Sequence, residues 1–197
     1  MNHRLALALP LLLMAACTEQ TTPDQAPTGS AAEATASTAP VLPPAAGPLS
    51  RYTSLKDCKV VDRKVDEDWS VSRCSGTGGI DLMLLYDDAR DDVQLLRPGQ
   101  KPMHLALTSL AGGGFNSLGD TAEWRGVGEG TAFKPSALIL RNSVVESPEH
   151  PEQLTALLVV VDLTKGCVIA QVQPKAAQNE AARAIADGPR QPCLGLE

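Results

Sequence analysis

Apolar positions along residues 50–197 come in short β-branched runs separated by polar turns, which is the pattern of strands rather than long helices. Two short strands are expected at Asp57–Asp62 and Trp69–Cys74. In the second, Trp69, Val71 and Arg73 share one face and Ser70, Ser72 and Cys74 the other. Ile80–Tyr86 and Val93–Leu96 flank the polar stretch Asp87–Asp92 and read as a hairpin. Further strands are expected at His104–Leu110, Thr121–Gly126, Ala137–Val145 and Leu154–Asp162, the last joined to Gly166–Val172 by a second hairpin turn at Leu163–Gly166. Leu157–Val161 and Cys167–Ala170 are continuously apolar, as strands buried on both faces are, and are expected in the middle of the sheet. Asn179–Gly188 has the Ala-rich content of a helix, with Asn179 as N-cap and Gly188-Pro189 as the stop. At that length it needs a sheet to dock on. The expected class is therefore α+β and β-rich: an antiparallel sheet or sandwich of about eight strands with one short C-terminal helix.

The start of the chain follows a different rule. Arg4 precedes an apolar run of Leu5–Met14, too short for a permanent span, which needs roughly 20 apolar residues. The run reads as an export signal. Met14-Ala-Ala-Cys17 resembles the lipobox of bacterial lipoproteins, with Met14 in place of the usual Leu. That resemblance implies a signal peptide over 1–16 and acylation of Cys17, which becomes the new N-terminus. Several acyl chains would anchor the protein in a membrane, each buried CH₂ contributing about 0.8 kcal/mol. Thr18 in the following position implies, by the same resemblance, the outer membrane rather than retention at the inner one. Residues 17–49 are rich in Ala, Pro, Thr and Ser, with Glu19, Asp24 and Glu33 as the only charges. Such a segment cannot bury enough surface to offset chain entropy and is expected to be a disordered tether. A Pro-rich chain extends at roughly 3 Å per residue, so the tether would set a single periplasmic domain, 50–197, well off the membrane.

Composition narrows the partners. Two Trp, two Tyr and two Phe in 197 residues argue against a stacking platform for nucleic acid or sugars. The domain carries 16 basic and 20 acidic residues, a formal charge of −4, so no basic field attracts a phosphate backbone.

Five cysteines in an exported chain point to disulfides. With Cys17 set aside, Cys58, Cys74, Cys167 and Cys193 allow three pairings, and the sequence does not choose among them. Cys58–Cys74 and Cys167–Cys193 are favoured, the first closing the loop around the N-terminal strands and the second pinning the tail after the helix. Neither the C-x₂₋₄-C spacing of zinc sites nor a redox C-x-x-C occurs.

No catalytic motif emerges, and no cofactor or metal is expected. Gly114-Phe-Asn-Ser117-Leu-Gly119 is one residue too long for a nucleophile elbow and reads as a flexible loop. Ser75–Gly79 lacks the Lys-Ser/Thr of a phosphate loop and reads as a turn. His104 and His150 have no metal partner at helical spacing, and His150 falls in the loop Glu146–Glu152. Asp87, Asp88, Asp91 and Asp92 lack the calcium-loop pattern and read as a solvated turn, as do Asp66–Asp68.

One cluster stands apart. Glu123 and Arg125 share a strand face while Trp124 takes the other, and Arg141 closes an apolar run beginning at Lys134. The plain expectation is a core Trp124 with Glu123 pairing locally to Arg125 or Arg141. The functional alternative is a partner-binding surface made of Trp124, Arg125, Glu123 and Arg141, since Trp and Arg are enriched in interface anchors. Tyr52–Leu55, Cys58, Arg73-Cys74, Glu123–Arg125, Asn179 and Ala182-Arg183 together are similar to a group of uncharacterised exported bacterial proteins, over most of 52–187. The resemblance implies export and carries no activity. The expected function is that of a non-catalytic envelope lipoprotein that binds a protein partner, in layout like inhibitor or immunity lipoproteins that neutralise cell-wall hydrolases. The rivals are a structural lipoprotein holding an assembly component or peptidoglycan, and a hydrolase working through scattered carboxylates.

Overall fold

The computed structural model describes residues 47–195. The leader expected over 1–16, and the tether over 17–49 with Cys17, lie outside the described residues apart from 47–49, the last of which already begins a strand. The strands are β1 (Leu49–Ser54), β2 (Lys59–Lys64), β3 (Trp69–Thr77), β4 (Ile80–Asp87), β5 (Arg90–Leu96), β6 (Met103–His104), β7 (Asn116–Val127), β8 (Lys134–Ser147), β9 (His150–Asp162) and β10 (Cys167–Val172). Two α-helices accompany them, a single turn α1 (Leu107–Leu110) between β6 and β7 and α2 (Gln178–Asp187) after β10.

The β-rich class and the disulfide staples hold, but the sheet has ten strands rather than about eight. It is also mixed. Its path runs β10-β9-β8-β7-β5-β4-β3-β2, with β1 added to β7 and β6 to β5. Every pairing is antiparallel except the Arg90–Asn116 bridge between β5 and β7. That bridge joins two antiparallel meanders, β2–β5 and β7–β10, and the meanders share one core. Leu82, Val93 and Leu95 from the first and Trp124, Leu138, Leu140, Val159 and Val161 from the second belong to the same buried cluster. β7 makes this possible by changing neighbours along its length. Asn116 bridges β5, an irregularity follows between Leu118 and Ala122, and Thr121–Gly126 then pairs with β1.

The second meander has two buried faces. Val159 and Val161 of β9 point into the shared core, whereas Leu158 and Val160 join Ala137, Ile139, Ile169 and the α2 residues Ala182 and Ala186 in a second cluster. The apolar runs of β9 and β10 were expected in the middle of the sheet, yet β10 ends it and β9 is next to last. The helix explains the difference: α2 covers the outer face there, so a strand near the end of the sheet is buried on both sides.

Other expectations move for identifiable reasons. His104–Leu110 is not one strand but β6 followed by α1, because the Asp92 carboxylate accepts hydrogen bonds from the Leu107 and Thr108 amides at 3.0 and 3.5 Å and starts a helical turn. Asp91 and Asp92 accordingly lie in β5, not in the solvated turn, which is reduced to Asp88 and Ala89, both at positive φ. Asn116–Gly119, expected in a loop, opens β7. Glu146–Glu152, expected as a loop, is instead strand on both sides of a two-residue turn at Pro148-Glu149, with Ser147 paired to His150. The helix begins at Gln178 with Ala177 as N-cap rather than Asn179, and no side chain caps it.

The cysteines pair as favoured. Cys58–Cys74 ties the segment before β2 to β3, and Cys167–Cys193 returns the tail to β10, where the Leu194 amide also donates to the Val168 carbonyl at 2.8 Å.

Candidate functional site

The outer face of β1, β7 and β8 carries a set of charged side chains beneath α2. Strand alternation puts them there. Glu123 and Arg125 of β7 face outward, with Tyr52 of β1 paired to Glu123 and Ser50 to Arg125 in register. On the other flank, Glu123 is paired to Ile139 and Arg125 to Ala137 of β8. On α2, Arg183 and Asp187 lie one turn apart on the face that meets this row.

The ion pairs run between helix and strand. Arg183 binds Glu123 through Nε–Oε1 at 2.7 Å and Nη2–Oε2 at 3.2 Å, a two-pronged contact, and Nη2 also donates to the Tyr52 hydroxyl at 3.1 Å. Arg125 donates from Nε to Asp187 Oδ1 at 3.0 Å and from Nη2 to Oδ2. The Ser50 hydroxyl joins the two pairs, donating to Glu123 Oε1 at 2.5 Å and accepting from Arg125 Nη1 at 2.5 Å. Arg125 Nη2 further holds the Pro48 carbonyl at 3.1 Å. Buried charges are tolerated when paired and hydrogen-bonded in this way.

The titration of the site follows from these contacts. Burial works against the charge on Glu123, but the hydrogen bonds from Arg183 and Ser50 and the charges of Arg183 and Arg125 outweigh it and hold the carboxyl below its usual range. The Glu123 hydrogen bond pushes the Arg183 guanidinium up.

The four residues singled out in the sequence separate into three roles. Trp124 is fully buried in the shared core, where its indole N–H donates to Thr53 Oγ1 at 2.9 Å, so it is not a surface anchor. Glu123 and Arg125 are buried and saturated by α2, and their mutual distance of 3.9 Å is longer than the cross-element pairs. Arg141 does not reach Glu123. Its guanidinium donates no hydrogen bond to, and forms no ion pair with, any described residue, and it borders an open recess of about 180 Å³ next to the network. Ile139 and Leu158 form the apolar part of that recess; Tyr52, Thr121, Glu123, Asn179 and Arg183 form the polar part. Ser50 and Asp187 are members that sequence reasoning missed, and so is Arg183 as the partner of Glu123, which was expected to be Arg125 or Arg141. The available signal was the charge order: Glu then Arg two apart on a strand, Arg then Asp four apart on a helix.

His104 and Asp162 lie apart from this network, and the second carboxylate oxygen of Asp162 is buried without a hydrogen-bond partner among the described residues. His104 Nε2 lies 3.3 Å from Asp92 Oδ2. Asp162, fully buried, accepts from the Thr164 and Lys165 amides and pairs with Arg190 at 2.8 Å, closing the β9–β10 turn. Among the described residues, no three His, Cys, Asp or Glu side chains converge as a metal site. No family model, curated protein or solved structure matches this chain.

Proposed function

We propose that the chain is a lipid-anchored protein of the bacterial envelope, held at the outer membrane through Cys17, with a non-catalytic periplasmic domain that binds a protein partner. The supporting observation is the cysteine pairing. Cys58–Cys74 and Cys167–Cys193 use four of five cysteines, leaving as the odd thiol Cys17, which stands directly after the apolar run and two alanines. An odd cysteine in an oxidising compartment is a hazard unless it is consumed by another reaction, and acylation is such a reaction. Two disulfides in a domain of this size agree with folding outside the cytoplasm. The part of the charged face left unpaired, Arg141 at its recess, suits recognition of a partner group better than it suits support of the fold.

The test is a comparison of wild type with Cys17→Ser in the native host. The wild-type chain should fractionate with outer membranes, require detergent for release and carry the mass of several acyl groups. Cys17→Ser should lose all three properties. Equal mass shifts and equal fractionation of the two chains would overturn the reading.

A further inference from the structure

Three guanidiniums and two carboxylates meet beneath and beside α2, and the count does not balance. Glu123 is taken by Arg183 and Ser50, and Asp187 by Arg125. Arg141 is the surplus cation, partly buried and without a partner among the described residues. Its stem is nonetheless given a seat. A Cβ on Gly119 of β7 would fall 2.9 Å from Arg141 Cβ and 3.5 Å from Cγ and Cδ, so the absence of a side chain at 119 lets the arginine lie against the neighbouring strand. A long side chain held along its stem with its head unpaired has part of its binding entropy already removed.

We infer that the recess bordered by Arg141, Asn179, Tyr52, Ile139 and Leu158 is a carboxylate-binding subsite for an acidic group of a peptide. The Arg141 fork would take the carboxylate, and the methylenes leading to it would lie on Ile139 and Leu158. The surplus is one positive charge, so a singly charged carboxylate balances it, whereas a doubly charged phosphate would leave one unmatched negative charge beside the Glu123 carboxylate that lines the same recess. The inference rests on the partner-binding reading above and adds the chemistry of the group recognised.

The test uses the full oxidised chain in detergent micelles, following arginine Nε–Hε resonances by NMR. Acetyl-glutamate amide presents a side-chain carboxylate and acetyl-alanyl-alanine a terminal one; acetyl-glutamine amide and inorganic phosphate are the comparisons. Either carboxylate probe should shift Arg141 saturably, the glutamine amide should not, and Arg141→Gln should weaken binding by roughly 10-fold or more. Equal response to the glutamine amide, tighter saturation by phosphate, or unchanged binding by Arg141→Gln would overturn the subsite. A lost carboxylate response in a chain that still captures a partner overturns the subsite and leaves the binding reading standing. A carboxylate response without any captured partner supports the subsite and counts against that reading.

Discussion

Arg183 of α2 clasps Glu123 of β7 with two guanidinium nitrogens, and one helical turn farther on the polarity reverses, Asp187 receiving Arg125. The reversed order fixes the register and direction of α2 on the sheet. Shifting the helix by one turn would set Asp187 against Glu123. Ala182 and Ala186 are small, so the apolar contact alone would tolerate sliding. The ion pairs supply the specificity that alanines cannot.

Replacing Glu123 by Gln should therefore leave Arg183 and part of Arg125 uncompensated under the helix. The expected loss is about 3 kcal/mol, the low end for breaking a buried pair, because Arg183 keeps some contact with water. Chemical denaturation of the oxidised chain measures it, and Glu123→Gln combined with Arg183→Met should recover part of the loss.

The pH dependence has a definite sign. Glu123 has a folded pKa below its unfolded one, so its contribution is complete above the unfolded value, about 4.3, and disappears as pH falls through the lower folded value. Wild type should lose stability more steeply than Glu123→Gln on the acid side of about pH 4.3. Asp91 acts in the opposite sense. Burial raises its carboxyl, so it costs stability as pH climbs from the ordinary carboxylate range through the raised folded value. Asp91→Asn, which keeps an oxygen for the Leu118 amide, should raise the melting temperature at neutral pH.

Both hairpins at Asp87–Arg90 and Leu163–Gly166 were legible because polar turn residues separate runs of strand-forming side chains. The outward and inward faces of Glu123–Arg125 were legible from alternation alone. β1 was not, since Leu49–Ser54 has few apolar residues and takes its structure from pairing with β7 about 70 positions away. α1 was hidden for a similar reason: the carboxylate that starts it belongs to Asp92, 15 residues earlier. Ser50 and Asp187 escaped notice because a single serine or aspartate has no local pattern, and their roles exist only once α2 lies across β7.

Trp124→Ala should cost about 3–5 kcal/mol, the range for deleting a large buried aromatic, and should disturb the core rather than a surface. Gly76→Ala tests the same packing from the other side. A Cβ at 76 would stand 2.0 Å from the Ile80 carbonyl oxygen and 2.8 Å from the Trp124 ring. Both variants should show reduced melting temperatures and altered near-UV circular dichroism.

The disulfides close separations of 16 and 26 residues, for which loop entropy gives stabilisation of roughly 3 and 3.5 kcal/mol. Peptide mapping without reduction should recover Cys58 joined to Cys74 and Cys167 joined to Cys193. Replacing Cys167 and Cys193 together by Ala should release the tail after α2 and lower stability by about that larger amount. Hydrogen exchange should then rise at the Leu194 amide, which is bonded to Val168.

The most direct measurement is affinity capture from envelope extracts with the full oxidised chain, run in parallel with Arg141→Gln after its melting temperature has been shown to equal that of wild type. One protein retained stoichiometrically by wild type, cross-linking beside residue 141 and lost with Arg141→Gln, is the predicted result. No retained protein, or one held equally by both chains, would contradict a partner-binding domain that works through this recess.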